Sequence, residues 1–144
     1  MYLFLVTHYA SRKILGHCLS TNLGAEGSVI ALKQALGQIP HPEGMIHHSD
    51  RGYQYSSRAM IQLAQGHRLR LSMTEDDHVY ENAVAERVNG ILKDEFLLGE
   101  TLASKAVARK QVREAIEIYN NERPHTSLGN AMPSVKYQKM CQLF

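Results

Sequence analysis

The chain has 144 residues, of which 44% are hydrophobic and 21% are charged, so it is long enough for one domain with a buried core and is not a disordered polypeptide. Sixteen basic and fourteen acidic residues give a formal net charge of +2, which permits nucleic-acid binding without predicting it. No apolar stretch approaches the roughly 20 residues that span a bilayer, the apolar start is too short for a signal peptide, and the two cysteines lie far apart. We therefore expect a cytoplasmic protein without a disulfide framework.

The first third of the chain predicts strands that alternate with a helix. Residues 2–7 are an apolar run of strand length, and residues 12–19 follow as a hairpin partner after a short turn. Apolar residues at helical spacing predict a helix over residues 25–36, which Gly37 and the following proline end. Residues 45–48 predict a further short strand.

The remaining chain predicts three more helices and one strand. A helix begins after Ser56 or Ser57 and ends near Gly66, and residues 69–73 alternate as a strand should. Two helices over residues 81–97 and 105–121 follow. This alternation indicates an α/β fold with a mixed sheet flanked by helices. Without a repeat or a long linker, we expect a single domain over residues 1–144, with residues 122–144 forming a turn and tail.

The predicted helix over residues 81–97 has two distinct faces. At 100° per residue, Asn82, Asn89 and Lys93 lie within about 60° of Glu86. The opposite side carries apolar residues that suit a core, namely Val84, Val88 and Ile91. A solvated helix surface would explain the polar face. A surface that meets phosphates is the alternative, since two asparagines are poor helix formers and need another reason to be there.

Asp50 follows a predicted strand directly and precedes Arg51 and Gly52. Its carboxylate is therefore expected at the carboxyl end of a strand, where open α/β sheets place their ligand sites. A turn-forming aspartate before a glycine is the alternative interpretation. Thirty-five residues separate Asp50 from Glu86. This second carboxylate favours the ligand-site interpretation of Asp50 over the turn-forming one.

Four ordered motifs accompany that spacing: residues 47–52 (HHSDRG), 72–75 (SMTE), 80–93 (YENAVAERVNGILK) and 119–129 (YNNERPHTSLG). Together they resemble the catalytic core of bacterial insertion-sequence transposases, which are relatives of retroviral integrase. The resemblance covers nearly the whole chain. It implies a ribonuclease H-like fold with an Asp-Asp-Glu active site, and metal-dependent DNA cleavage and strand transfer.

The resemblance also implies roles for individual residues. Asp50 matches the family's second catalytic aspartate, and Glu86 matches its glutamate, so both would be catalytic and would bind Mg²⁺ or Mn²⁺. The implied DNA-binding residues are Lys93, Asn82, Asn89, Arg51 and Arg123. No small-molecule cofactor is implied, and a zinc site is not expected.

One carboxylate of the family's triad has no counterpart here. In relatives it lies on a strand before the predicted hairpin, whereas Asp50 is the first aspartate of this sequence. The resemblance therefore implies a sheet without its central first strand, weak cation binding, and a chain that is inactive alone. At the position of His8 relatives usually have an aspartate, but we expect a surface histidine there.

These expectations leave two main classes of function open, and a third, a stand-alone ribonuclease H-like nuclease, is the weakest because it needs the same absent carboxylate. The first is a transposase core that acts on transposon ends and target DNA in the bacterial cytoplasm, at the nucleoid, with other transposase subunits. The second is a non-catalytic DNA-binding or assembly remnant that modulates a full-length transposase. Cation binding by the wild-type chain and by Glu86→Gln would separate the two.

Overall fold

The computed structural model describes residues 1–74, 82–96, 98 and 104–143. The chain packs into two compact units, one of residues 1–6 and 15–83 and the other of residues 7–14 and 84–144. The described elements are a mixture of α-helices and β-strands, as predicted. None of the helices in the described part is long and apolar enough to cross a membrane.

The strands lie at the predicted positions and form two pairs. β1 (Tyr2–Thr7) pairs with β2 (Ile14–Ser20), and the six-residue connection is too short for a parallel crossover, so the two form an antiparallel hairpin. β3 (Ile46–Ser49) and β4 (Arg70–Met73) pair in parallel. Among the described residues each pair is a separate two-stranded sheet.

Helix α1 (Ala25–Leu36) packs on the hairpin because two glycines allow a close approach. A Cβ at Gly16 would lie 1.9 Å from the carbonyl oxygen of Ala31, and one at Gly27 would lie 2.3 Å from the ring of Phe4. A side chain at either position would therefore push the helix off the strands. The prediction of this helix and of its end at Gly37 is confirmed.

Helix α2 (Arg58–Gly66) connects the two parallel strands β3 and β4. Ser57 caps it by accepting a hydrogen bond from the Met60 backbone, so the second of the two predicted caps is used. Met60 is fully buried and packs with Leu32 and Leu36 of α1. This apolar cluster is the core of the first unit.

In the second unit, α4 (Lys105–Asn121) has the predicted bounds, whereas α3 (Ala83–Asp94) is shorter than predicted. The predicted ends of α3 at residues 81 and 97 lie outside the described residues. After α4 the chain turns at Gly129, which has a φ of 64°, and continues into α5 (Pro133–Cys141). The residues predicted as a turn and tail thus include a helix, because Pro133 occupies its first turn, where a missing N–H costs nothing.

Candidate active site on a strand end and a helix face

Asp50 directly follows β3, at the carboxyl end of that strand, as the sequence predicts. Its side chain is exposed, and Oδ1 accepts a hydrogen bond of 2.8 Å from the backbone N–H of Gly52. This contact is an Asx turn, so the turn-forming interpretation of Asp50 also holds. One carboxylate oxygen is thus fixed by the chain, and among the described residues the other accepts no hydrogen bond.

The loop that carries Asp50 is attached to the end of β4. The backbone N–H of Thr74 donates to the carbonyl of Ser49 over 2.9 Å, one residue before Asp50. The guanidinium Nε of Arg51 donates to the carbonyl of Thr74 over 2.8 Å, one residue after Asp50. The predicted DNA-binding residue Arg51 therefore uses one donor to hold this loop.

The two histidines before Asp50 have different surroundings. His48 lies near polar side chains of β4, with Nδ1 3.0 Å from the hydroxyl of Ser72. The ring of His47 packs instead against Tyr55, with centroids 6.2 Å apart. Burial, and then the nearby His48, lower the pKa of His47 below its ordinary value. A neutral, packed ring describes His47 better than a metal ligand does.

Glu86 lies on the exposed face of α3, with Asn89 and Lys93 also exposed, as the two-faced helix predicts. On the other face Val88, Ile91 and Leu92 are each at most 2% exposed. Of the predicted core stripe, Val84 is half-buried. The polar face is open to solvent, so it is free to meet a ligand.

A glycine widens the polar face of α3. Gly90 is one helical turn after Glu86, and a Cβ at this position would meet nothing within 4 Å. Glycine in a helix interior is less stable than alanine by roughly 1 kcal/mol. No neighbouring atom requires a glycine here, so its effect is to leave the surface beside Glu86 uncovered.

The other predicted DNA-binding residues lie in more enclosed positions. Asn82 precedes α3 and is half-buried. Arg123 is held by both carboxylate oxygens of Glu95, at 2.6 Å each. The hydrogen bond from Arg123 is the main cause that lowers the pKa of Glu95. This fork-to-fork pair ties the segment after α4 to the segment after α3.

Three residues of the C-terminal motif make contacts that the sequence did not predict. The buried amide of Asn120 forms two hydrogen bonds of 2.9 Å with the backbone of Ile14. The hydroxyl of Tyr119 donates to the carbonyl of Arg12 over 2.9 Å. His125 packs edge-on against Tyr119, with ring centroids 5.1 Å apart. The motif therefore holds the tip of the β1–β2 hairpin.

His8, at that hairpin tip, is not the surface histidine that was expected. Its Nδ1 lies 2.8 Å from the hydroxyl of the buried Ser11, and its ring packs edge-on against Tyr137. Burial lowers the pKa of His8 below its ordinary value. The ring is thus part of the local packing.

Asp50 belongs to the first compact unit and Glu86 to the second. Neither takes part in an ion pair within the described residues. The same part of the chain contains no group of three or more His, Cys, Asp or Glu side chains that could hold a metal. Exposed carboxylate oxygens nevertheless fit Mg²⁺, which commonly binds through one or two carboxylates and keeps several waters.

Comparison with protein families finds two matches, both to the integrase core domain, over residues 1–78 and over residues 67–133. The insertion element IS600 uncharacterized 31 kDa protein of Shigella sonnei is 34% identical over 132 residues, which are 91% of this chain and 48% of that protein. Transposase InsF for insertion sequence IS3A of Escherichia coli (strain K12) is 34% identical over 134 residues, which are 92% of this chain and 46% of that protein. The chain spans about half the length of these curated relatives.

Solved structures show the same fold. The catalytic core domain of BIV integrase matches with a TM-score of 0.76 and 15% identity, over 98% of this chain and 88% of that one. The HTLV-2 integrase catalytic core domain in complex with magnesium matches with a TM-score of 0.63 and 16% identity, over 89% of this chain and 76% of that one. The prediction of a ribonuclease H-like integrase core fold is confirmed.

Proposed function

Because the chain belongs to the integrase core domain family, we propose that Asp50 and Glu86 are catalytic carboxylates that bind Mg²⁺ or Mn²⁺ for cleavage and strand transfer of DNA. The observation that carries this proposal is the state of Asp50: an exposed carboxylate at a strand end, with one oxygen fixed by the Gly52 N–H. The roles of both residues come from the family motif and from their placement.

The chemistry explains why exposed carboxylates suit this task. A bound divalent cation supplies charge stabilisation to the attacking and leaving oxygens of an in-line displacement at phosphorus. Asp50 contributes an oxygen whose orientation is set before any ligand arrives, since its partner oxygen already accepts from the chain. Glu86 contributes a carboxylate from a helix whose opposite face is anchored in the core. Preorganised ligands of this kind lose little entropy on binding.

The DNA would be held mainly by the polar face of α3. Lys93 and Asn89 share that face with Glu86 and are exposed, so both are accessible to backbone phosphates. Asn82, which precedes α3, and Arg51, which follows Asp50, would add further contacts to the DNA. Arg123, whose guanidinium is occupied by Glu95, would act more by bracing this segment than by binding phosphate.

Further basic side chains are exposed on α4, at Arg109, Lys110 and Arg113. Lys110 lies 3.8 Å from Glu114, a weak exposed pair. We propose transposon ends and target DNA as substrates, other transposase subunits as partners, and the bacterial cytoplasm, at the nucleoid, as the place of action.

Cation binding by Asp50 and Glu86 is tested by titrating Mn²⁺ into the full chain and measuring the concentration of free Mn²⁺ by electron paramagnetic resonance. Asp50→Asn and Glu86→Gln should each weaken binding by about tenfold or more, because each replaces an anionic ligand by a neutral amide. Glu43→Gln and Glu114→Gln, which neutralise exposed carboxylates in the first and second units, are the matched controls and should bind as the wild type does.

Two results would contradict the proposal. If Asp50→Asn or Glu86→Gln bound Mn²⁺ as tightly as the controls, that carboxylate would not be a ligand. If the wild-type chain bound no Mn²⁺ but retained DNA binding in a fluorescence anisotropy assay, the chain would be a non-catalytic DNA-binding protein.

A further inference from the structure

The end of the parallel β3–β4 pair holds the residues on both sides of Asp50. In the strand register Ser49 lies opposite Met73, and Thr74 is the next residue of the second strand. The backbone N–H of Thr74 continues the ladder to the carbonyl of Ser49 over 2.9 Å. The carbonyl of Thr74 in turn accepts from Nε of Arg51 over 2.8 Å.

The Thr74 side chain adds a second donor to the same carbonyl. Its Oγ1 lies 3.3 Å from the carbonyl oxygen of Ser49 and 3.3 Å from Nε2 of His48. On the other side of the ring, Nδ1 of His48 lies 3.0 Å from the hydroxyl of Ser72. Strand register explains the grouping, because Ser72 is opposite His48 and Thr74 follows two residues later on the same face.

Of the two neutral forms of the His48 ring, one satisfies all three side-chain contacts. The hydroxyl of Ser72 donates to Nδ1 of His48, the Nε2–H of His48 donates to Thr74, and the hydroxyl of Thr74 donates to the carbonyl of Ser49. With the proton on Nδ1 instead, the single hydroxyl hydrogen of Thr74 would have to go to Nε2, and the Ser49 carbonyl would lose it. Between the two neutral forms, the contacts therefore select the one with the proton on Nε2.

From this network we propose that Thr74 is a positioning residue, which fixes the position of the Asp50 carboxylate so that this carboxylate can bind a cation. The Ser49 carbonyl and the Asp50 N and Cα belong to one planar peptide unit, so two donors from Thr74 fix where the Asp50 side chain starts. The Gly52 N–H then fixes its rotation. The inference rests on the proposed role of Asp50 as a cation ligand, and it adds Thr74, with His48 and Ser72 behind it.

The test uses the full chain labelled with ¹⁵N and two substitutions of Thr74. Thr74→Val keeps the branched shape and the backbone bonds but removes the hydroxyl, and Thr74→Ser restores it. Thr21→Val, the same change at an exposed threonine of the same unit, is the control. The measurements are amide hydrogen exchange at Gly52, the protonated nitrogen of His48 by long-range ¹H–¹⁵N correlation, and Mn²⁺ affinity.

We expect the wild type to show the Nε2–H form of His48. In Thr74→Val, exchange at Gly52 should rise by about tenfold, as expected for the loss of one net hydrogen bond. Mn²⁺ affinity should fall by about tenfold, the lower end for residues that orient a ligand. Thr74→Ser should recover both. Exchange at Leu63, a half-buried residue of α2 that packs against the core, should stay unchanged, whereas a general loss of stability would raise it.

Three results decide between the proposals. Gly52 exchange in Thr74→Val equal to that in Thr21→Val overturns the positioning role, whether or not Mn²⁺ binds. Equal Mn²⁺ affinity in Thr74→Val and Thr21→Val, while Asp50→Asn weakens binding, also overturns it. If Asp50→Asn itself leaves Mn²⁺ binding unchanged, the ligand role of Asp50 fails, and Gly52 exchange still decides whether Thr74 sets its carboxylate.

Discussion

Replacing Asn120 by alanine should destabilise the protein far more than the same change at its neighbour Asn121. The Asn120 amide accepts from the N–H of Ile14 and donates to its carbonyl, both over 2.9 Å, in a buried setting. Asn121 is exposed and donates to the carboxylate of Glu117. The two substitutions remove the same chemical group from adjacent positions of one helix.

The size of the effect follows from the groups left behind. Asn120→Ala leaves a backbone donor and acceptor of Ile14 without their partner, and each such buried group costs about 1–3 kcal/mol. We expect a loss of about 2–4 kcal/mol in the free energy of unfolding, or about 5–15 °C in thermal midpoint for a chain of this size. Asn121→Ala should change the free energy by less than about 0.5 kcal/mol.

Chemical denaturation followed by circular dichroism measures both variants. Asn120→Asp adds a further check, because it keeps an acceptor for the Ile14 N–H but places a carboxylate oxygen against the Ile14 carbonyl. It should therefore be less stable at pH 7 than near pH 4, relative to the wild type, since protonation restores a donor. Equal losses in Asn120→Ala and Asn121→Ala would refute the assignment of Asn120 as the clamp on the hairpin.

Three further predictions concern alkaline stability, DNA contact and the open helix face. Burial raises the pKa of Tyr119 to about 12. The stability that the protonated Tyr119 contributes is therefore complete below the unfolded pKa near 10 and is lost between about pH 10 and 12. Tyr119→Phe should lose less stability than the wild type in alkaline denaturation, and an equal loss would contradict this role of Tyr119. Lys93→Ala should weaken DNA binding and reduce the salt dependence of the logarithm of affinity by about 1, whereas Lys33→Ala, on α1, should change neither. Gly90→Ala should raise the free energy of unfolding by about 0.5–1 kcal/mol, since its methyl group meets open space; a loss of stability would show that the face is packed.

Local patterns were sufficient to predict most elements of the fold. The bounds of α4 were predicted correctly because apolar residues recur at helical spacing between Ser104 and the turn before Pro124. The helix α5 was missed because residues 122–144 were predicted as a turn and tail, although a proline such as Pro133 is also common in the first turn of a helix. The pairing of the strands as two separate sheets depends on contacts between distant segments, which no local pattern contains.

For the candidate site, the sequence predicted where Asp50 lies but not what holds it. A strand followed by Asp-Arg-Gly is a local signal, whereas the support from Thr74 requires the register of β3 against β4. The period of two along a strand would have placed Ser72 and Thr74 on one face, which is the signal that could have drawn attention to them. Asn120 was missed for the same physical reason, since its partner Ile14 lies 106 residues earlier.

The central claim is that Asp50 and Glu86 each bind a divalent cation, and iron-directed cleavage of the polypeptide tests it most directly. Fe²⁺ bound in place of Mg²⁺ generates hydroxyl radicals with ascorbate and peroxide, which cut the backbone near the metal. We expect cuts close to residue 50 that are lost in Asp50→Asn and cuts close to residue 86 that are lost in Glu86→Gln, with both sets suppressed by excess Mg²⁺. Cuts that persist at either position in the matching variant, or cuts at neither position in the wild type, would contradict the claim.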